Sequence, residues 1–240
     1  MNRYLKIGLA AAAVVVIAVV AFNLLPGSPA PGGEPSATAT QQPSPSSAPA
    51  AALPPAGPMA IGRHSMTLAG VPLSIEIPSA GWSSDGEHGI FKGDLSSPDS
   101  AGFILWPESA ADNTFADPCT KTSLDPPAGP SAAELAAAVA AVPGMELVSG
   151  PSEVTVGGYP AQHVVLTVPE DIGCAPNSFY LWEDLDYPVA RYATELGSTY
   201  YVWIIDVDGT TVWIDGETFA ASGPDAAQEV RQIVNSIQFE

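Results

Sequence analysis

From Ile7 to Leu25 the chain is apolar and uncharged, with Gly8 and Asn23 as the only mild interruptions. At 1.5 Å per residue a helix of this length reaches about 28 Å, close to the ~30 Å hydrocarbon core of a bilayer. Arg3 and Lys6 precede the run and no acid occurs before Glu34. That asymmetry puts the N-terminus inside and everything after Leu25 outside. A secretory h-region is usually ~7–15 residues, so the run reads as an uncleaved, single-pass signal anchor. The alternative is a secreted protein after signal cleavage at Ser28-Pro29-Ala30, where Pro31 is a poor residue to follow the scissile bond. No Cys lies near the end of the run, which excludes a lipoprotein anchor.

Past residue 59 the pattern changes to short apolar runs separated by turn residues. Met66–Leu68 and Leu73–Ile77 around Gly70-Val71-Pro72 predict a first hairpin, and Phe103–Trp106 predicts a strand ended by Pro107. Ser131-Ala-Ala-Glu134 is a capping box opening a helix to about Val142, with Leu135, Val139 and Val142 on one face and Pro143-Gly144 as the stop. Glu153–Val156 and Gln162–Val168 flank Gly157-Gly158 as a second hairpin, and Phe179–Trp182 and Val189–Thr194 are further strands. Thr199–Asp206 and Thr210–Ile214 are joined through Val207-Asp208-Gly209. Both are apolar at nearly every position, which predicts central strands covered on both faces. Pro224-Asp225 opens a last helix whose Val230, Ile233, Val234 and Ile237 form one apolar stripe. The fold class is α+β: a largely antiparallel sheet packed by a mid-chain helix and a C-terminal helix, preceded by one transmembrane helix.

Composition divides the chain into four parts: a cytoplasmic tail (1–6), the anchor (7–25), a tether (26–58) and an extracytoplasmic domain (59–240). Residues 26–58 hold ten Pro and seven Ser/Thr with Glu34 as the only charge, a composition of a disordered, extended spacer. Residues 59–240 carry five Lys/Arg and twenty-five Asp/Glu, a net charge of −20. Nucleic-acid binding is thereby excluded, because phosphate backbones require clustered Lys/Arg. The two cysteines, Cys119 and Cys174, both fall outside the membrane, where a disulfide is the leading reading. A zinc site is the rival, but there is no CxxC pairing and the three His (64, 88, 163) are scattered. No metal site and no cofactor are assigned.

Candidate chemistry is sparse. Asp206, Asp208, Thr210 and Glu217 occupy positions 1, 3, 5 and 12 of an EF-hand-like window, but position 6 is Thr211 where that loop needs Gly. A hairpin explains the window better, leaving Asp206 and Asp208 as a candidate weak cation site. Glu183, Asp184 and Asp186 form a second candidate cation site, or simply a solvated acidic face. Trp182, Trp203, Trp213 and Tyr201 are a candidate aromatic groove for glycans or peptides, against the alternative that they are core. His163 has no GxSxG elbow to serve, and HExxH, P-loop and GxGxxG motifs are missing. No catalytic residue is assigned.

Several local patterns occur together: Gly70-Val-Pro-Leu-Ser-Ile-Glu-Ile-Pro78 with Trp82, Asp117-Pro-Cys119, and Val154-Thr-Val-Gly-Gly-Tyr-Pro-Ala161. They are followed by Phe179-Tyr-Leu-Trp182 after Cys174, Val202-Trp-Ile-Ile-Asp-Val-Asp-Gly209 and Ile233-Val-Asn-Ser-Ile-Gln-Phe239. From about residue 63 onward the chain resembles extracytoplasmic domains of actinobacterial membrane proteins. Its closing hairpin, helix and Ser-Ile-x-Phe end are similar to PsbP-like and mycobacterial LpqN-like α/β sandwiches. The resemblance brings no catalytic residues and implies a binding, sensor or accessory module acting through an envelope protein or a cell-wall ligand. The alternatives are an envelope hydrolase with an unrecognised site, or a structural wall-associated protein.

Overall fold

The computed structural model describes residues 51–52, 55–86, 89–94, 96–106, 113–169, 173–175, 179–183, 190–193 and 195–240. The predicted anchor (7–25) and most of the predicted tether lie outside the described residues, as do Asp184 and Asp186. No helix among the described residues is long and apolar enough to cross a membrane.

The strands run β1 (Ala51–Ala52), β2 (Gly57–Pro58), β3 (Gly62–Leu68), β4 (Val71–Ile77), β5 (Trp82–Ser84), β6 (Gly89–Lys92), β7 (Ala101–Leu105), β8 (Asn113–Asp117) and β9 (Thr122–Ser123). Helix α1 (Ala132–Ala140) comes next, then β10 (Glu146–Val156), β11 (Tyr159–Thr167), β12 (Tyr180–Glu183), β13 (Ala190–Tyr192), β14 (Thr199–Val207) and β15 (Thr210–Thr218). Helix α2 (Pro224–Asn235) and β16 (Gln238–Phe239) close the chain. One eight-stranded sheet, ordered β10-β11-β14-β15-β7-β6-β5-β2, is the centre of the domain. Two smaller sheets, β1-β3-β4-β16 and β13-β12-β8-β9, accompany it. Among the described residues all pairings are antiparallel except β1 with β3. The α+β reading therefore holds in outline: mostly antiparallel sheet with two helices.

The β14–β15 hairpin is central, as its apolar runs require. Val207 pairs with Thr210 across a two-residue turn in which Asp208 (φ 52) and Gly209 (φ 88) are both left-handed. That turn matches the right-handed twist of the strands and needs residues tolerant of positive φ. Alternate residues then feed two separate cores. Trp203, Ile205, Val212 and Ile214 join the core capped by α2 and the β3–β4 hairpin. Tyr200, Val202, Ile204 and Trp213 join the core capped by α1 and the small β12-bearing sheet.

Helix α1 begins at the predicted capping box: Ser131 Oγ accepts from the Glu134 N–H at 3.3 Å, and the Glu134 carboxylate accepts from the Ser131 N–H. Helix α2 buries Ala226, Val230, Ile233 and Val234 on the opposite face of the sheet. Gly216 makes this close approach feasible, because a Cβ there would collide with Val230 Cγ1. On its other side α2 is fixed by Glu229, which pairs with Lys92 at 2.8 Å and accepts from Ser79 Oγ and Trp82 Nε1.

The structure extends several predicted elements. β15 continues past Ile214 through Asp215, Gly216 and Glu217 to Thr218. β10 starts at Glu146, with register breaks between Leu147 and Ser152. Gly57–Pro58, inside the segment read as tether, pairs with β5 at the edge of the large sheet.

Candidate functional site

The cysteines are joined. Cys119 and Cys174 form a disulfide with Cα atoms 5.1 Å apart, inside the usual bridging range. The bond ties the turn between β8 and β9 to the segment that leads into β12.

The other sequence candidates are distributed over the fold. Asp206 Oδ1 accepts from the Gly209 N–H at 2.8 Å and stabilises the hairpin turn. Asp208 Oδ2 accepts from the Tyr159 hydroxyl at 3.1 Å, which holds that phenol above its ordinary pKa. Glu217, the last position of the calcium-like window, is buried far along the same strand and faces Arg191. Among the described residues no group of three or more His, Cys, Asp and Glu is placed to hold a metal. The backbone of Glu183 pairs with Asn113 and Ala190 at the end of β12, while Asp184 and Asp186 lie outside the described residues.

The four aromatics do not share one groove. Trp182 and Trp213 are fully buried, with ring centroids 5.5 Å apart, in the α1-side core. Trp203 and Tyr201 project from the other face of β14, towards the α2-side core. There His163 stacks on Trp203 at 4.7 Å, and Tyr201 stacks on the same indole at 6.3 Å. His163 and Tyr201 are half-buried, so this three-ring stack reaches the surface beside α2. Burial, reinforced by the nearby positive Arg231, lowers the His163 pKa and favours the neutral imidazole.

The most polar buried feature is one that sequence reasoning missed. Arg191 on β13 donates from Nε to Asp215 Oδ1 at 3.0 Å and from Nη2 to Glu217 Oε2 at 2.7 Å. Trp106 Nε1 donates to Asp215 Oδ2 at 2.6 Å, and the Tyr200 hydroxyl donates to Glu217 Oε1 at 2.5 Å. The Arg191 guanidinium also lies 4.8 Å from the Tyr200 ring centroid. Side-chain exposure is 8% for Arg191, 0% for Asp215 and 2% for Glu217. Burial pushes the Asp215 carboxyl up, and Arg191 and the Trp106 N–H only partly reverse it. Burial works against the Arg191 charge, but Asp215, Glu217 and Tyr200 outweigh it and raise its pKa. A period-two signal was present, since Trp213, Asp215 and Glu217 share one face of β15. Only the position of Arg191, on a strand of another sheet, shows that the face is closed over.

No protein-family model matches the chain. No curated protein matches it either. Among solved structures it is similar to LpqN of Mycobacterium tuberculosis, a protein described as involved in cell envelope biogenesis. The identity is 10% and the TM-score 0.40, over 75% of this chain and 92% of that one.

Proposed function

We propose that this chain is an extracytoplasmic binding or accessory domain, held at the membrane by residues 7–25 and spaced from it by the Pro-rich segment. It acts through a protein partner or a cell-envelope ligand. The observation that carries the reading is the Cys119–Cys174 disulfide behind a positively flanked apolar run. Stable disulfides belong to oxidising compartments, and the run directs the residues after it out of the cytoplasm. The His163–Trp203–Tyr201 stack supplies a contact surface of a suitable kind, since half-buried rings offer apolar area at low entropic cost.

The test is crosslinking in intact cells, then solubilisation and mass spectrometry of the tagged full chain. A reproducible partner or wall fragment, diminished in Tyr201→Ala, supports the reading. A blank result with the chain correctly exported overturns it.

A further inference from the structure

Helix α2 brings a cation to the His163–Trp203–Tyr201 stack. Val230 of α2 sits on Gly216, the cross-strand partner of Tyr201, beside the Trp203 indole. Consecutive helix residues point about 100° apart, so Glu229 and Arg231 leave α2 on opposite flanks of Val230. Glu229 reaches Lys92 of β6 and Trp82 of β5. Arg231 therefore points the other way, towards β14 and β11, where its charge acts on His163.

Arg231 is the uncommitted cation of the domain. Of the five Lys/Arg in residues 59–240, Arg63 pairs with Glu76, Lys92 with Glu229, and Arg191 with Asp215 and Glu217, while Lys121 lies over the Tyr180 ring. Arg231 is exposed and, among the described residues, makes no ion pair, hydrogen bond or ring contact. The helix positions three and four residues away are Ala227, Gln228, Val234 and Asn235, and none is an acid.

The sheet face it overlooks carries no acid either, in a domain with twenty-five Asp/Glu. Cross-strand partners share a face, which gives two rows here: Ser152, His163 and Trp203, then Ser149, Val165 and Tyr201. Glu146, opposite Thr167, stands one row beyond, and Asp208 at the other end is held by the Tyr159 hydroxyl. β11 and β14 are interior strands, paired on both sides, so their backbone groups are already taken. An extended peptide binds by adding a strand and would choose an edge instead. What this face offers is half-buried rings, the exposed Ser149 and Ser152 hydroxyls, and one guanidinium.

We propose that Arg231 and the His163–Trp203–Tyr201 stack form a binding site for a sugar that carries a carboxylate. The rings take the C–H face of the sugar, the serine hydroxyls match its hydroxyl groups, and the planar guanidinium takes the carboxylate through paired N–H donors. His163 is neutral here, so Arg231 alone reads the anion. This site rests on the binding role proposed above and names its ligand class.

The test uses the full chain in detergent and saturation-transfer NMR with two disaccharides. N-acetylglucosaminyl-N-acetylmuramic acid carries a carboxylate, and diacetylchitobiose is its neutral counterpart. The acidic sugar should bind about tenfold more tightly, and Arg231→Gln should abolish that difference. Tyr201→Ala should weaken both sugars. No transfer to the acidic sugar, or affinity unchanged in Arg231→Gln, overturns the proposal. Equal binding of the two sugars, lost in Tyr201→Ala, overturns the acidic class and leaves the binding role standing. So does a crosslinked protein partner lost in Tyr201→Ala when neither sugar binds. Blank results in both experiments overturn the two together.

Discussion

Arg191 Nε lies 3.0 Å from Asp215 Oδ1, and this contact joins two sheets through residues 24 apart in the chain. Removing the guanidinium takes away the cation that bridges the buried Asp215 and Glu217 carboxylates. Arg191→Met should therefore destabilise the domain by about 3–5 kcal/mol at neutral pH. Arg191→Lys should restore little, because a point charge cannot reach both carboxylates as the planar fork does. Urea denaturation followed by tryptophan fluorescence measures both variants.

The disulfide closes a loop with a sequence separation of 55. Replacing Cys119 and Cys174 by Ser should cost about 2–5 kcal/mol, and a reductant should lower the melting temperature of the wild type alone. Equal sensitivity of both proteins to the reductant would mean that the bond does not support the fold.

Gly216 and Val230 are a packed pair, and each sets the room available to the other. Gly216→Ala should push α2 from the sheet and cost about 1–3 kcal/mol. Val230→Ala relieves that contact, so the double variant should be more stable than the sum of the two single losses predicts. Strict additivity in thermal melts would place the helix further from β15 than the structure does.

Glu229 governs a pH response. Burial opposes its charge, but hydrogen bonds from Lys92, Ser79 and Trp82 outweigh it and hold the carboxyl below its ordinary value. A carboxylate depressed in the folded state adds stability above its unfolded pKa and loses it as pH falls through the folded pKa. The contribution is therefore complete at neutral pH, begins to fall as pH approaches the unfolded carboxylate pKa of about 4.3, and is gone only below the lower folded pKa. Glu229→Gln should cost about 1–3 kcal/mol at pH 7, and its difference from wild type should shrink steadily on acidification. Paired urea titrations at neutral and acidic pH check the sign.

Much of the fold was legible because the relevant signals are local. The hairpin at Asp208-Gly209, the capping box at Ser131 and Glu134, and the apolar stripe of α2 each lie within a few residues of chain. Burial of β14 and β15 on both faces followed from their composition, since a strand with apolar residues at every position needs cover on each side. β5, β6 and β8 carry mixed, short sequences, and tertiary pairing assigns them. The candidate aromatics show the limit of composition. Trp182, Trp203, Trp213 and Tyr201 look alike along the chain, yet strand alternation sends them to two different cores.

By itself the sequence determined the apolar N-terminal run, the acidic balance, the cysteine pair and the main antiparallel hairpins. Each depends on residue type or on near-neighbour periodicity. Tertiary structure alone decided that Asp215 and Glu217 are interior residues rather than a polar strand end. Burial of a charge depends on what arrives from elsewhere in the chain. Here a single arginine on another sheet, with Trp106 and Tyr200, makes it tolerable.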